Sequence, residues 1–336
     1  MIDAFLQRIW YGRSPLALMF LPLSWLFASV AATRRAMFHF GILRTVRVAK
    51  PVIIVGNITV GGTGKTPFVI WLTETLRARG WVPGVITRGY RGSARTWPRE
   101  VTATSNAAEF GDEAVLLAER TGSIVVAGPD RVRAAERAIE LGATVIISDD
   151  GLQHYRLARN FEIAIVDDAR RFGNTFRLPA GPLRESPQRL LTVDAVVRNC
   201  RGAQSMATPL GHRLELTMRT LLVTARSLVT GEERPLRTFI GQPVHAVAGI
   251  GNPTAFFDAL RNMGLQVREH AFADHAVLGR PDLQFADSAP VLMTEKDAVK
   301  CRTFADARCW AVPLDVVVDQ PARIVDALAH MLDRAR

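Results

Sequence analysis

The chain reads Gly61-Gly62-Thr63-Gly64-Lys65-Thr66-Pro67 between an apolar, β-branched run and a stretch of helical spacing, which restricts the folds open to it more than any other feature. Pro51 to Val55 predicts a buried parallel strand, and Phe68 to Arg79, closed by Gly80, predicts the helix after it. Glycines in such a loop turn successive backbone N–H groups onto phosphate oxygens, and the helix start adds its positive dipole end. Thr59, Val60, Gly61, Gly62, Thr63, Gly64, Lys65 and Thr66 are therefore the expected nucleotide-phosphate site, with Lys65 reaching the β- and γ-phosphates and the Thr66 hydroxyl ligating magnesium. Pro67 costs little, because first-turn N–H groups have no partner within the helix. The pattern G-x-x-x-x-G-K-[ST] is met except at its first glycine, where Thr59 stands. An accidental Gly-rich turn is the competing reading.

A second buried-strand run, Ala143 to Ser148, ends in Asp149-Asp150-Gly151-Leu152-Gln153-His154. An acid at the carboxyl end of an apolar strand can hold magnesium against the phosphates, so Asp149 and Asp150 join Thr66 as metal candidates. Alone, the same residues make an Asp-Gly turn. Strand-like runs at 82–87, 123–127, 162–166 and 195–198 alternate with helical stretches at 113–120 and 131–141. This alternation predicts an α/β fold: a P-loop NTPase-like parallel sheet flanked by helices, with phosphate chemistry at the strands' carboxyl ends.

Past residue 205 two short strands, 213–218 and 221–224, are followed by a second βα region with strands at 244–248, 267–272, 291–294 and 310–318 and a final helix from Pro321. The expected organisation is an apolar N-terminal helix with basic flank over 1–48, the P-loop core over 49–205, a two-strand connector over 206–228, and a second, smaller α/β domain over 229–336. Gly249-Ile250-Gly251 lacks the third glycine of a dinucleotide fingerprint and reads as a tight βα turn. Thr294-Glu295-Lys296-Asp297 resembles a guanine-reading loop, but its lysine falls one place late.

Lys and Arg number 42 against 32 Asp and Glu, a formal charge of +10 that suits an anionic partner. No zinc spacing, RNP-like aromatic motif or Lys-rich tail points to nucleic acid, so no nucleic-acid partner is expected. Anionic lipid, ATP or a phosphorylated glycolipid would use the same charge. Cys200, Cys301 and Cys309 form no C-x-x-C pair, which argues against a zinc site or a disulfide framework and for a reducing compartment.

From Pro15 to Ala32 the chain is apolar apart from Ser24 and Ser29, with Arg8 and Arg13 before it and Arg34 and Arg35 after it. A helix of that length, ~27 Å, is slightly short of a usual membrane span. It suits a helix inserted into the cytoplasmic leaflet with Trp10, Tyr11 and Trp25 near the interface; a true span and a helix buried on the core remain open. A cleaved signal would export an ATP-dependent loop away from ATP.

The motifs then converge. Gly56-Asn57 leads to Gly-Gly-Thr-Gly-Lys-Thr-Pro, followed by Thr87-Arg88-Gly89-Tyr90, Gly111-Asp112-Glu113, Asp130-Arg131, Asp-Asp-Gly-Leu-Gln-His, Leu178 to Glu185, Asp274-His275 and Thr294 to Ala298. This order resembles the tetraacyldisaccharide 4'-kinase (lipid A 4'-kinase) family, to which Thr59 also conforms. The resemblance implies transfer of the ATP γ-phosphoryl group, with Mg2+, to the 4'-hydroxyl of an acylated glucosamine disaccharide 1-phosphate at the cytoplasmic face of a bacterial inner membrane. It implies Asp112 as the base with His275 beside it. Without it, Asp112 reads equally as a helix cap and His275 as an ordinary histidine. Arg131 and Arg184 are candidates for phosphate, and Tyr90, Glu113, Gln153, His154 and Glu185 for lining groups. The alternative is a membrane-associated P-loop ATPase of the partitioning type, whose signature lysine is Val60 here. A nucleic-acid-dependent ATPase is the third reading.

Overall fold

The computed structural model describes residues 2–12, 14–90, 92–200 and 208–334. Arg13, expected to flank the apolar run, and the expected boundary at 205 lie outside them.

Two sheets organise the chain. The first takes β1 (Val52–Gly56), β2 (Pro83–Thr87), β3 (Arg99–Val101), β4 (Ile124–Ala127), β5 (Val145–Asp149), β6 (Phe161–Asp167), β7 (Ala195–Cys200) and β8 (Glu215–Leu221). The second takes β9 (Thr224–Ser227), β10 (Glu233–Pro235), β11 (Pro243–Ala248), β12 (Gln266–Ala271), β13 (Val291–Thr294) and β14 (Cys309–Val312). The chain then returns to the first sheet with β15 (Asp315–Val318). Strand order is β15-β8-β7-β6-β1-β5-β2-β4-β3 in the first sheet and β10-β9-β14-β13-β11-β12 in the second.

In the first sheet β1, β2 and β4 to β8 run parallel, while β3 and β15 are antiparallel edges. Every residue of β1, β2, β5, β6 and β7 is buried, as expected of strands covered on both faces. One face carries α3 (Lys65–Arg77), α5 (Asp112–Thr121) and α9 (Pro321–Arg334), which share a core with Ile53, Val55, Ile147 and Ile163; α6 (Arg131–Glu140) packs with Ile54, Ile86 and Val126 on the other. Two further helices lead the chain, α1 (Ile2–Tyr11) and α2 (Leu21–His39), and α4 (Ala107–Phe110) precedes α5. In the second sheet α7 (Pro253–Asn262) packs on β12, and α8 (Glu295–Cys301) leaves β13 to lie on α5.

Two sequence expectations change. The expected connector divides between the sheets, β8 joining one and β9 opening the other. The run 310–318, read as one strand, is two: Pro313 interrupts it, β14 stays in the second sheet and β15 pairs with β8. The final helix therefore closes the first core, burying Ile324, Leu328 and Leu332 there, and 229–336 is not one continuous unit.

The N-terminal region also departs from expectation at one residue. Trp10 is buried, its indole Nε1 donating to the Pro179 carbonyl at 2.9 Å, and it packs with Ile9, Ala17, Val60 and Phe176. Tyr11 is half-buried against that cluster, whereas Trp25 is 66% exposed. A 3-10 turn, Pro15–Phe20, feeds α2, and the helical stretch Pro15–His39 is long and apolar enough to cross a membrane, with 11% of its apolar window buried. Leu23, Trp25, Leu26 and Val30 are exposed. Ser24 is the exception: its hydroxyl donates to the Arg177 carbonyl and accepts from Ala180 N, both at 2.9 Å.

Candidate active site

β1 is flanked by β5 and β6, so the glycine loop after it opens at the centre of the sheet with Val55 level with Asp149. Gly64 (φ +91°) precedes Lys65, the first residue of α3, and a Cβ there would stand 2.4 Å from Asn199 Nδ2. Only glycine fits that conformation and that approach. Asn199 Nδ2 donates to the Thr63 carbonyl at 3.0 Å and Asn57 Nδ2 to Thr63 Oγ1 at 3.1 Å, holding the loop's shape from inside. Gly61 and Gly62 have nothing within 4 Å of where a Cβ would stand. Val60, in the place of a partitioning-type lysine, packs into the Trp10 cluster, and its N–H donates to the Pro182 carbonyl at 2.8 Å. The segment 178–185 thus runs beside the loop, with Thr59 bridged to Leu183.

That segment delivers Arg184 to Asp150. Arg184 Nη1 lies 3.0 and 2.9 Å from the two carboxylate oxygens, and Lys65 Nζ is 3.5 Å from Oδ1. Although burial pushes the Asp150 carboxyl up, Lys65 and Arg184 hold it well below the ordinary range. Asp149 is the opposite case. Burial, then the Glu113 charge, push it up to about 7, and its Oδ1 is buried with no hydrogen-bond partner. Such an orphaned carboxylate oxygen, with the Thr66 hydroxyl and Asp150 as oxygen donors of the same kind, suits a hard divalent cation such as Mg2+.

Across from the loop, Asp112 opens α5. Gly111 (φ +89°) makes the turn into it, and a Cβ there would meet the Tyr90 carbonyl at 2.6 Å. The helix starts one residue earlier than the cap reading requires: Gly111 occupies the cap position, and Asp112 Oδ1 accepts from Glu113 N at 2.8 Å. His275, on the loop after β12 with φ +58°, donates from Nδ1 to Asp112 Oδ2 at 2.8 Å. Burial raises Asp112, but the His275 hydrogen bond and the charges of Lys296, His275 and Lys300 outweigh it and hold the carboxyl below its usual range; the Asp112 hydrogen bond in turn raises His275. The Tyr90 ring meets the His275 ring edge-on, centroids 5.5 Å apart. Glu113 pairs with Lys296, whose charge keeps it ionised, and it feels Lys65 and raises Asp149, so α5 faces the phosphate loop.

The remaining candidates have other contacts. Arg131, expected on phosphate, is buried and serves the backbone, donating to the carbonyls of Gly128 (2.9 Å) and Asp149 (3.2 Å); burial lowers it to about 10. Its position in the first turn of α6, beside the end of β5, turns its guanidinium inward. Gln153 Nε2 donates to Asn57 O (3.1 Å) and Glu185 Oε1 (2.7 Å), and Glu185 also accepts from Tyr155 Oη at 2.6 Å. His154 is lowered to about 4 by burial and the cations of Arg131 and Arg88. Lys296, Lys300 and Asp297, given no role from sequence, bring α8 against Asp112 and Glu113. The signal was present only as the quoted Thr294 motif, because spacing cannot show that it meets a helix some 180 residues earlier. Arg34, at the far end of the apolar helix, donates to Gln153 O at 3.3 Å, and Arg35 lies 4.0 Å from Glu185.

The model of the tetraacyldisaccharide-1-P 4'-kinase family matches residues 16–333. The chain belongs to this family. Curated tetraacyldisaccharide 4'-kinases resemble it throughout: that of Nitrosococcus oceani is 48% identical over 99% of this chain and 96% of its own, and that of Thiobacillus denitrificans 50% identical over 93% and 94%. A crystal structure of LpxK from Aquifex aeolicus in complex with ATP superimposes with a TM-score of 0.82 at 27% identity, covering 94% of this chain and 99% of that one. The expected α/β fold with a P-loop-type parallel sheet is therefore the observed one, and the partitioning-type alternative is not favoured.

Proposed function

We propose that the chain transfers the γ-phosphoryl group of ATP to the 4'-hydroxyl of a tetraacylated glucosamine disaccharide 1-phosphate, working at the cytoplasmic face of a bacterial inner membrane. The observation that carries the reading is the Asp112–His275 pair, an acid on the helix that faces the phosphate loop and an imidazole 2.8 Å from it on the loop after β12. The named activity of the curated relatives supports it. Asp112, backed by His275, takes the proton as the 4'-oxygen bonds to the γ-phosphorus and the bond to the β-phosphate oxygen breaks, leaving ADP. Lys65 and the N–H groups of residues 61–66 neutralise and orient the phosphates, and Arg184 lies beside them on Asp150. Thr66, Asp149 and Asp150 would hold Mg2+, which when bound neutralises phosphate charge. The exposed apolar face of α2 seats the protein on the lipid, while Arg34 and Arg35 bring its far end over the site. Labelled ATP with and without a tetraacylated disaccharide 1-phosphate in vesicles tests this. Label should appear on the lipid with the full protein and fall by roughly 10²–10⁴ with Asp112→Asn; ATP turnover indifferent to the lipid would refute the proposed activity.

A further inference from the structure

α8 carries a row of ion pairs whose far end is the Asp112–His275 pair. Asp297, fully buried, accepts from Gly249 N at 2.8 Å and Thr294 Oγ1 at 2.6 Å through Oδ2, and from Lys300 Nζ at 2.8 Å through Oδ1. The Gly249 carbonyl accepts the backbone N–H of His275 at 3.1 Å. One carboxylate therefore holds the residue to which the histidine's backbone is bonded and also the ammonium that faces the histidine's partner, for Lys300 Nζ lies 3.8 Å from Asp112 Oδ2. Gly249 leaves room for this contact, since a Cβ there would stand 2.9 Å from Asp297 Oδ1. The Lys300 side chain is only 11% exposed, and its ammonium lies between two carboxylates.

We propose that Lys300, held by Asp297, is a positioning residue for the Asp112–His275 pair, clamping the carboxylate and the histidine's loop to a single helix of the second sheet. The proposal rests on the reading of that pair as the base. Other charges bear on the pair too: Lys296 on Asp112 and His275, and Asp274, whose Oδ1 is 3.6 Å from His275 Nε2, with Glu113 next on α5. Lys300 differs from them in being joined to the His275 loop through Asp297 and Gly249. Because acid and imidazole share one proton as a unit, a cation beside either lowers the proton affinity of both. Removing it raises that affinity whichever atom takes the proton.

The test uses the full-length protein with ATP and vesicle-borne lipid acceptor, measuring kcat against pH and the ¹⁵N titration of the His275 ring. Lys300→Met should move the acidic limb of the profile and the His275 titration upward by about one pH unit and lower kcat roughly ten- to a hundred-fold, with KM for ATP nearly unchanged. Lys300→Arg, which keeps the charge, should restore most of the shift. Lys300→Gln, which keeps a donor for Asp297, provides the same reading should the methionine variant misfold. An acidic limb and titration within a few tenths of wild type, with kcat lowered equally at every pH, would make Lys300 a structural strut and overturn the proposal. Asp112→Asn separates the two readings: wild-type kcat in that variant removes the base assignment and this proposal with it, whereas an inactive Asp112→Asn beside an unshifted Lys300→Met overturns the Lys300 role alone.

Discussion

Lys65 is held between the loop it belongs to and the carboxylate of Asp150, which Arg184 grips from the other side. Replacing it with alanine leaves Asp150 paired, so the fold should survive while the charge beside the departing phosphoryl group is lost. We expect Lys65→Ala to keep its circular dichroism and to lose about 10²–10³ in phosphoryl transfer at saturating substrates; near-normal turnover would undo the phosphate-loop assignment. His154 makes a prediction about acid. Its folded-state pKa is lowered to about 4 from an ordinary 6.5, so between those values the unfolded chain binds a proton that the native protein does not. Its contribution to stability is therefore complete above pH 6.5 and is lost as the pH falls toward 4. The urea midpoint should decline over that window and His154→Gln should flatten the decline; parallel curves for the two proteins would refute it.

At the level of single elements, α2 separates two jobs by face. Ser24 ties one side to the backbone at Arg177 and Ala180, while Leu23, Leu26 and Val30 point outward. Deleting residues 1–35 would strip Trp10 and Ser24 from their partners and damage the support of Val60 in the phosphate loop. Leu23→Ser/Leu26→Ser/Val30→Ser removes only the exposed apolar surface. Each side chain loses about 1.5–3 kcal/mol of burial in lipid, so vesicle binding should fall at least a hundredfold in sedimentation while the thermal midpoint barely changes. Undiminished sedimentation would place membrane binding elsewhere. The strand, glycine loop and helix around Lys65 were readable from sequence because their physics is local: β-branched residues, then glycines, then helical spacing. Trp10 was not, because its burial depends on a carbonyl 169 residues away. Nor was the inward turn of Arg131, which depends on where β5 ends beside α6.

In the whole molecule, β15 and α9 belong to the core that β1 began, although the second sheet lies between them in sequence. Apolar runs told strands from helices, but nothing in Val316-Val317-Val318 says which sheet takes them; that is decided by pairing with β8 across a distance no periodicity reports. A chain ended at residue 314 should therefore fail as a P-loop protein, not merely lose a tail: β8 becomes a bare edge and the pocket for Ile324, Leu328 and Leu332 is left open. We expect it to be insoluble or protease-sensitive under conditions where the full chain is neither, and a soluble, ATP-binding truncation would contradict this. The same arrangement bears on synthesis. During synthesis β1 and the glycine loop emerge before the second sheet, and β15 and α9 after it, with His275 in between, so the catalytic sheet waits for the second one to be made. The phosphate loop is therefore made long before the strand and helix that hold its sheet closed.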